Sequence, residues 1–333
     1  MTALPTFVQI EPVGQCNLRC QMCAIQFRTD GTPNGPPAFM PLATFTRLVD
    51  EFGAIEQLHL QGLGEPMMHP QFFDMVAYAV ARGIRVTTNS NLTLLSPRRA
   101  ERCVTSGLDC LHISIDGAEP TTYERIRVRA RFERVVRNLK LLLDTRARLG
   151  SALPHLKLVV VVMRQNLHEL PELVRLAHSW QMEQIWVQHL CHDFGEASLP
   201  AHYQPMRAFV DSQTLLGEDP ARVDHFFAAA RCAAEELGID LRLPRTQPRP
   251  HPPGLPGPQR CDWPWRRAYL SYQGFAMPCC MVSTPDRINF GSMAEQSVVE
   301  VWNSEDYQRF RDQLNTEEPP ELCRSCAVYN GTF

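Results

Sequence analysis

Three cysteines near the start of the chain have a spacing that suits a reactive metal centre. Cys16, Cys20 and Cys23 form a C-x3-C-x2-C pattern, and no histidine stands close by as a fourth ligand. Closely spaced thiolates select zinc, copper(I) or iron–sulfur clusters. Structural zinc normally takes four protein ligands, whereas three ligands on a four-iron cluster leave one iron open for chemistry. The pattern therefore favours an iron–sulfur cluster with an open position, and structural zinc is the alternative.

The C-terminal part of the chain holds a second group of cysteines. Cys261, Cys279 and Cys280 are followed by Cys323 and Cys326, which form a C-x2-C pair. Two distant cysteines and such a pair can make a closed four-thiolate site. On spacing alone, structural zinc and an iron–sulfur cluster both fit this second site.

Polar motifs follow the second, third and fourth predicted strands. They are Gly64-Glu65-Pro66, Asn89-Ser90-Asn91 and Ser114-Ile115-Asp116-Gly117. A carboxylate in the first motif can accept hydrogen bonds from an ammonium group, and the hydroxyl and carboxylate of the last can bind ribose hydroxyls. The ends of strands are where α/β folds place their ligands. We therefore expect one ligand site at this edge of the sheet.

Together these motifs resemble those of the radical S-adenosylmethionine (SAM) enzymes. The cysteine trio, with Met22 before its last member, matches that family's signature and stands at its usual place after the first strand. The resemblance implies a 4Fe–4S cluster on Cys16, Cys20 and Cys23, whose free iron binds SAM. One electron from the cluster would cleave SAM to methionine and a 5′-deoxyadenosyl radical, which abstracts hydrogen from the substrate. Reduced flavodoxin or ferredoxin is the electron donor that the family implies.

The resemblance also implies which residues contact SAM. The segment around Glu65 resembles the family's G-G-E-P segment, with Leu63 in place of the first glycine, so that Glu65 would pair with the SAM ammonium. Ser114 and Asp116 correspond to the ribose segment, and Arg127 would pair with the SAM carboxylate. The cofactor-binding residues implied in this way are Glu65, Asn89, Ser114, Asp116 and Arg127.

The C-terminal cysteines resemble the SPASM/twitch extension of radical SAM enzymes. Cys261, Gly274 and Cys279 fit its opening pattern, C-x9-15-G-x4-C. The chain ends seven residues after Cys326 with no further cysteine, which favours the shortened twitch form with one auxiliary 4Fe–4S cluster. Whether Cys279 or its neighbour Cys280 is the ligand stays open. The implied auxiliary ligands are Cys261, Cys279, Cys323 and Cys326.

The first part of the chain alternates short apolar runs with amphipathic segments of helix length. Six strand–helix units imply parallel strands joined by helical crossovers, and six are too few for a complete eightfold barrel. With the resemblance, the expected fold is α/β, a partial (β/α)6 TIM-like barrel with a small C-terminal Cys-rich module. Strands are expected over Phe7–Ile10, Leu58–Gln61, Ile84–Thr88, Leu111–Ile115, Leu156–Met163 and Ile185–Gln188. Helices are expected near Leu42–Phe52, Pro70–Arg82, Pro97–Ser106, Phe132–Leu149 and Leu167–Trp180.

Beyond the sixth strand the pattern loosens. A helix over Asp219–Leu237 ends at Gly238, and the proline-rich segment 244–258 is typical of an extended linker. In the Cys-rich module we expect a hairpin around Gly274 and a helix over Ser297–Leu314. The predicted domains are 1–190 (radical SAM partial barrel), 191–258 (connecting region and linker) and 259–333 (auxiliary cluster domain).

Composition and charge exclude some classes of protein. The net charge of −3 excludes a globally basic nucleic-acid binder. The N-terminus lacks a signal-peptide pattern and no apolar run is long enough to span a membrane, so we expect a cytoplasmic protein whose twelve cysteines are reduced thiols. The segment from Arg125 to Arg148 contains nine basic residues and two acidic ones. This run fits a solvated helix face or a contact for a phosphate or carboxylate on the substrate.

The substrate is the least determined feature. We expect a small polar molecule, namely a sugar, aminocyclitol or nucleoside of natural-product biosynthesis, because too few residues precede Cys16 for a peptide-recognition domain and the single auxiliary cluster resembles that of twitch-type aminocyclitol dehydrogenases. Dehydrogenation, epimerisation, dehydration or decarboxylation would all start with the same hydrogen abstraction. The alternatives are a peptide- or protein-modifying radical SAM/SPASM enzyme and a non-catalytic iron–sulfur or zinc protein.

Three residues after the sixth strand are candidates for a catalytic role. A thiol at Cys191 is able to donate a hydrogen atom to a substrate radical, and His189 or Asp193 is able to bind substrate. For Cys191, a buried packing thiol is the ordinary interpretation.

Overall fold

The computed structural model describes residues 2–29, 38–190, 194–248 and 260–332. One nine-stranded sheet, in the order β7-β6-β5-β4-β3-β2-β1-β8-β9, organises these residues. Its strands are β1 (Phe7–Ile10), β2 (Gln57–Leu60), β3 (Arg85–Ser90), β4 (Cys110–Ser114), β5 (His155–Val161), β6 (Gln184–Gln188), β7 (Asp240–Arg242), β8 (Arg267–Leu270) and β9 (Ala276–Met277).

Helices connect and cover the strands. Short 3-10 turns add to them at strand ends, and two of these, Ala24–Phe27 and Pro66–Met68, flank the predicted cluster loop and Glu65. The α-helices are α1 (Leu42–Phe52), α2 (Phe72–Val80), α3 (Pro97–Thr105), α4 (Pro120–Ile126), α5 (Phe132–Arg148), α6 (Leu170–Ser179), α7 (Gln204–Gln213), α8 (Pro220–Leu237), α9 (Trp263–Arg266), α10 (Val298–Trp302), α11 (Glu305–Leu314) and α12 (Glu321–Arg324).

All ladders of the sheet are parallel except the β8–β9 hairpin. Strands β1 to β6 lie side by side in chain order, as consecutive strand–helix units require. Their carboxyl ends therefore meet at one edge, where the loops after β1, β2, β3 and β4 come together. The expected α/β fold with a partial TIM-like barrel is confirmed.

The sheet has two parallel strands beyond the six that were expected. Strand β7 pairs with β6 from the region expected to be a connection. Strand β8, from the Cys-rich part of the chain, pairs with β1 through Val8 opposite Ala268 and Ile10 opposite Leu270. The C-terminal part is therefore joined to the barrel sheet by backbone hydrogen bonds to β1, the strand that leads into the first cysteine group.

Side chains alternate between two different environments along the strands. In β2, Leu58 and Leu60 are fully buried in the hydrophobic core, while His59 is only partly buried on the other face. In β4, His112 follows the same pattern. The ring of His112 lies 5.7 Å from that of His59 and 5.5 Å from that of Trp186, between centroids. One face of the barrel sheet therefore carries polar and aromatic groups below the strand ends.

Local signals fix the helix ends, and they correct one prediction. The expected helix over Asp219–Leu237 is observed as α8, with the Asp219 carboxylate accepting from Ala221 N at 3.0 Å and Gly238 at φ 68° ending it. The single helix expected over Ser297–Leu314 is wrong, because α10 ends at Trp302 and α11 starts after Ser304. The Ser304 hydroxyl accepts from Tyr307 N and caps the second helix. Among the described residues, no helix is both long and apolar enough to cross a bilayer.

Candidate functional site

A cavity of about 200 Å³ opens at the carboxyl ends of the barrel strands. The loops after β1, β2 and β3 and the ends of β4, β5 and β6 form its wall. The three cysteines of the first group line it together with four of the five expected cofactor residues: Glu65, Asn89, Ser114 and Arg127. The structure thus brings together side chains that lie more than a hundred residues apart in the sequence.

The three thiols share one environment at this cavity. Burial raises the pKa of Cys20 to about 12, and it also raises the pKa of Cys16 and Cys23. The thiolates of Cys20 and Cys23 contribute to the raised pKa of Cys16, and that of Cys23 contributes to the raised pKa of Cys20. Bound iron removes such thiol protons outright. This donor set of three cavity-lining sulfurs fits an iron–sulfur cluster.

A single metal ion would need a different arrangement of ligands from that of an iron–sulfur cluster. Within the described ranges, no group of three or more His, Cys, Asp or Glu is arranged to hold one metal ion. A single ion needs its donors to converge on one point at 2.0–2.3 Å, whereas the ligands of a cluster bind different iron atoms.

Close backbone contacts hold the cluster loop against the segment after β2. Glu65 N donates to Gln15 O at 2.9 Å. A Cβ atom on Gly64 would lie 2.2 Å from Val13 O and 2.6 Å from Gln15 O, so only glycine allows this approach. The contact places the carboxylate of Glu65 beside the loop that carries the cysteines.

Glu65 is held in place by groups at the end of β3. The Ser90 hydroxyl donates to its Oε1 at 2.8 Å, Asn91 N donates to its Oε2 at 2.8 Å, and Met67 N donates to Oε1 at 3.2 Å. Burial raises the pKa of the Glu65 carboxyl, and the hydrogen bonds from Asn91 and Ser90 oppose that shift. Like these hydrogen bonds, an incoming cation would favour the ionised carboxylate and lower the pKa of Glu65.

Asn91 links this carboxylate to the first cysteine. Its Nδ2 donates to Asn17 Oδ1 at 3.2 Å and lies 3.8 Å from the Sγ of Cys16, while its Oδ1 accepts from Thr93 N and Thr93 Oγ1. The sequence reasoning selected Asn89 from this motif and gave Asn91 no role. The only sequence signal for Asn91 was its position in the same turn.

Asn89 lies on the cavity wall with its amide oriented from below. Its Oδ1 accepts from His112 Nδ1 at 2.8 Å, so its NH2 group is left to face other partners. Burial, together with the neighbouring His59 and Lys157, lowers the pKa of His112 to about 3. His112 therefore acts as a neutral hydrogen-bond donor at neutral pH. This support from inside the barrel was not predicted.

Asp116 does not line the cavity. Its fully buried carboxylate lies 2.7 Å from Arg127 Nε and accepts from Val161 N at 2.8 Å. Although burial alone would lower the pKa of Arg127, the carboxylate of Asp116 raises it above its ordinary value. The Arg127 side chain in turn reaches the cavity wall, with Nη1 4.0 Å from the Sγ of Cys20. The structure therefore places Asp116 behind Arg127.

The candidate catalytic residues after β6 are only partly described. His189 is buried on the cavity wall, and its Nε2 lies 2.8 Å from Arg245 O. Burial lowers the pKa of its imidazole. Cys191 and Asp193 lie outside the described residues. Of these three candidates, the structure thus locates only His189 at the cavity.

The second cysteine group also converges in the fold. After burial, the nearby thiols of Cys280, Cys326, Cys323 and Cys261 each raise the pKa of Cys279. Burial raises the pKa of Cys280 to about 12, with contributions from Cys326 and Cys261. Residues from three separate segments therefore share one thiol-rich environment. The chemistry of this donor set fits a cluster whose binding would remove the thiol protons.

Two buried ion pairs lie where the C-terminal part of the chain packs against the preceding residues. Arg28, which ends the turn after the first cysteines, contacts Glu11 through bonds of 2.9 and 3.1 Å, and its guanidinium lies 4.9 Å from the ring centroid of Tyr272. Glu196 accepts from Arg287 Nε at 2.7 Å, with both side chains 5% exposed. Sequence reasoning missed both pairs because their members are distant along the chain or lack a motif.

Curated proteins of several activities align along nearly the whole chain. The tungsten-containing aldehyde ferredoxin oxidoreductase cofactor-modifying protein of Pyrococcus furiosus is 24% identical, and the alignment covers 97% of this chain and 87% of that protein. The PqqA peptide cyclase of Xanthomonas euvesicatoria pv. vesicatoria is 26% identical, with 97% and 80% covered. The AdoMet-dependent heme synthase of Methanosarcina barkeri is 25% identical, with 98% and 89% covered.

Solved structures share the fold. Streptococcus suis SuiB bound to the precursor peptide SuiA superposes with a TM-score of 0.71 at 15% identity, over 99% of this chain and 71% of that chain. Native anSMEcpe with bound AdoMet and Cp18Cys peptide superposes with a TM-score of 0.65 at 15% identity, over 98% and 88%.

Two family models match the two cysteine regions. The iron–sulfur cluster-binding domain SPASM matches residues 261–327, and the radical SAM superfamily matches residues 10–177, half of the chain. The chain therefore belongs to the radical SAM superfamily: it uses a 4Fe–4S cluster and SAM, and it carries a C-terminal domain for auxiliary iron–sulfur clusters.

Proposed function

We propose that this enzyme abstracts a hydrogen atom from a residue of a peptide or protein substrate. The observation that carries the proposal is the likeness to PqqA peptide cyclases at 25–26% identity over 97% of the chain. Two structures with the same fold are described as bound to peptides. These findings favour the alternative from the sequence over the small sugar-like substrate first expected.

Roles for the residues at the cavity follow from their placement. Cys16, Cys20 and Cys23 would hold the cluster, and the fixed carboxylate of Glu65 would accept hydrogen bonds from the SAM ammonium. Ser114 and the amide of Asn89, both on the wall, would bind polar groups of SAM or substrate. When bound, the cluster supplies the electron that cleaves SAM and starts hydrogen abstraction.

Asp116 and Arg127 would act as a pair rather than as two separate ligands. The Asp116 carboxylate is occupied by Arg127 and Val161, so we assign it the orientation of Arg127 instead of ribose binding. The guanidinium of Arg127 has donors left for an anion at the cavity, which agrees with the SAM carboxylate that the sequence suggested. Arg127 stays charged because Asp116 compensates its buried charge.

The auxiliary centre would use Cys261, Cys279, Cys323 and Cys326. We prefer Cys279 to Cys280, since its thiol interacts with both members of the C-x2-C pair and with Cys261. We also propose that the C-terminal part holds one auxiliary cluster and that the chain has three domains, with boundaries near residues 190 and 258. A cytoplasmic location and an electron-carrier protein as reductant also belong to the proposal.

A second candidate is a small molecule or prosthetic group as substrate. The relatives named for heme synthesis and for modification of a tungsten cofactor favour it. The polar face of the barrel, with His59 and His112 below Asn89, would suit such a ligand as well as a peptide side chain. Dehydrogenation or epimerisation would follow the same first abstraction.

Isotope transfer distinguishes these candidates. The reconstituted enzyme with SAM and dithionite would receive deuterated short peptides encoded beside its gene, and in parallel deuterated tetrapyrroles and aminosugars. We expect deuterium in 5′-deoxyadenosine, together with a mass change in the peptide. Deuterium arriving only from a tetrapyrrole or sugar would overturn the peptide proposal.

A cysteine variant provides the control for the chemistry itself. The triple variant Cys16→Ala/Cys20→Ala/Cys23→Ala should form no 5′-deoxyadenosine, whereas Cys232→Ala, at an exposed position on α8, should retain the rate of the parent enzyme. SAM cleavage by the triple variant would contradict the assignment of the cluster ligands.

A further inference from the structure

We propose that a basic face beside the cluster loop is the docking site for a small acidic protein that delivers single electrons. The basic face is defined by the exposed residues Arg125, Arg129, Arg131, Arg134, Arg137 and Lys140. The inference rests on the proposed function, because the oxidised cluster needs an electron from outside before it can cleave SAM.

Charge is segregated on this face. Six exposed basic residues lie between positions 125 and 140, and Glu133 is the sole acidic residue of that segment. Arg131 is partly compensated by Glu124, with an Nη1–Oε2 distance of 2.7 Å. The whole chain nevertheless has a net charge of −3. A local positive field on an acidic protein attracts a partner of opposite charge and increases its association rate.

The basic face adjoins the cysteines through backbone contacts. Arg19 N donates to Val128 O at 3.0 Å and Gln21 N donates to Ile126 O at 2.9 Å, so this segment runs along the loop on both sides of Cys20. Arg127 of the same segment turns inward to within 4.0 Å of the Sγ of Cys20. A partner on the basic face would therefore contact the segment that is hydrogen-bonded to the cysteine loop.

An apolar side chain lies within the charged residues. Val128 is 40% exposed and is one of four large hydrophobic residues with such exposure in the part of the chain that the structure describes. Its neighbour Arg129 has a φ of 76°, a conformation that is costly for a residue other than glycine. Small electron-transfer interfaces bury little area, and interfaces generally combine an apolar centre with a polar rim. Val128, which directly precedes the exposed Arg129, provides an apolar contact within this basic segment.

A charge-reversal variant tests the docking site with two different reductants. In Arg129→Glu/Arg134→Glu/Arg137→Glu, we expect 5′-deoxyadenosine formation driven by a purified, photoreduced acidic flavodoxin to fall at least about tenfold. Formation driven by dithionite should stay within about twofold, because this small reductant needs no docking. The flavodoxin-driven rate of the parent enzyme should also fall with added salt, whereas that of the variant should not.

A matched control carries the same change in total charge elsewhere. Arg175→Glu/Arg231→Glu/Arg309→Glu reverses three exposed arginines on α6, α8 and α11 and should keep the flavodoxin-driven rate. Iron content and circular dichroism establish that each variant is folded and loaded. If the first variant does not fold, Arg134→Glu/Arg137→Glu on the exposed side of α5 replaces it.

Three outcomes would overturn the inference. The first is an unchanged flavodoxin-driven rate in the basic-face variant, and the second is an equal loss of that rate in the control variant. The third is a loss of peptide modification under dithionite, which would assign the basic face to an acidic segment of the substrate. If the parent enzyme cleaves no SAM even with dithionite, the proposed function itself fails. Normal dithionite activity with a flavodoxin-driven rate insensitive to the basic face refutes only the docking site.

Discussion

At the residue scale, the site depends on polar side chains that are buried and already hydrogen-bonded. Glu65, Asn91 and the Asp116–Arg127 pair each have defined partners before any ligand is bound. Such preorganisation lowers the cost of ordering these groups when a charged ligand enters. If one residue of such a pair is replaced, its partner stays buried without a compensating charge or hydrogen bond.

The substitution Asp116→Asn should therefore destabilise the protein strongly. It removes the charge that compensates Arg127, whose side chain is 9% exposed, and breaking such a buried pair costs about 3–5 kcal/mol. Urea denaturation of the cluster-free protein measures the free energy of unfolding. As the control, Asp74→Asn removes the exposed pair with Arg102 and should cost less than about 1 kcal/mol. Similar small losses in both variants would contradict the role of Asp116.

The two histidines on the polar face of the barrel predict a pH dependence of stability. Burial lowers the pKa of His59 from 6.5 to about 4 and that of His112 to about 3. Between pH 6.5 and 4 the unfolded chain binds protons that the folded protein does not, so stability falls as the pH falls through this window.

His59→Gln tests this dependence. For His59 the shift corresponds to up to about 3 kcal/mol, and the variant should therefore lose less stability than the parent between pH 7 and pH 4.5 in urea titrations of the cluster-free protein. The exposed His155, replaced by Gln, should leave the pH dependence of the parent unchanged. A variant curve parallel to that of the parent would show that His59 is not buried in its neutral form.

At the element scale, parallel strands determine where the site forms. Because β1 to β4 run in the same direction, the loops that follow them meet at one edge of the sheet. The turn after β2 then has to pass close to the cluster loop, and Gly64 makes that approach possible.

Gly64→Ala should consequently displace the Glu65 segment. The added Cβ would contact backbone oxygen atoms at 2.2 and 2.6 Å, which cannot rotate away as a side chain would. We expect SAM affinity of the reconstituted enzyme to fall about tenfold or more, since small misplacements of binding groups are costly. Gly217→Ala is the control, because its Cβ would meet Arg164 at an unstrained 3.6 Å. Equal SAM affinity in both variants, by equilibrium dialysis, would refute the close-packing argument.

At the scale of the whole molecule, the two cysteine regions belong to one continuous structure. Strand β8 pairs with β1 just before the first cysteine loop, and the Glu11 carboxylate also accepts from Tyr272 N at 3.3 Å. The buried Glu196–Arg287 pair joins the connecting region to the C-terminal part. The auxiliary centre is therefore positioned by the same sheet that positions the SAM cavity.

The iron content of cysteine variants tests the two-centre arrangement. Two 4Fe–4S clusters give about eight iron atoms per chain, and Cys323→Ala/Cys326→Ala should lower this to about four. That variant should still form 5′-deoxyadenosine with dithionite, because its first cluster is intact. Cys279→Ala should lose the same iron, while Cys280→Ala should retain it. If Cys280→Ala lost the iron and Cys279→Ala retained it, Cys280 rather than Cys279 would be the cluster ligand.

Short-range patterns, together with the resemblance to radical SAM enzymes, were enough to predict the cofactor and most of the local structure. The spacing of Cys16, Cys20 and Cys23 predicts an open iron–sulfur site because ligands a few residues apart are held near one another by the chain itself. The strands and helices of the barrel follow for the same reason, since apolar periodicity and capping residues such as Asp219 act over short distances.

The contacts between distant segments could be seen only after the chain was folded. The fold placed Asp116 behind Arg127, added His112 below Asn89, paired β8 with β1 and brought the five C-terminal thiols together. No local pattern specifies such pairs, because each depends on how separate elements pack and on which polar groups are buried together. The break between α10 and α11 is different, because the Ser304 hydroxyl that caps α11 through Tyr307 N is a local signal that the prediction of one helix overlooked.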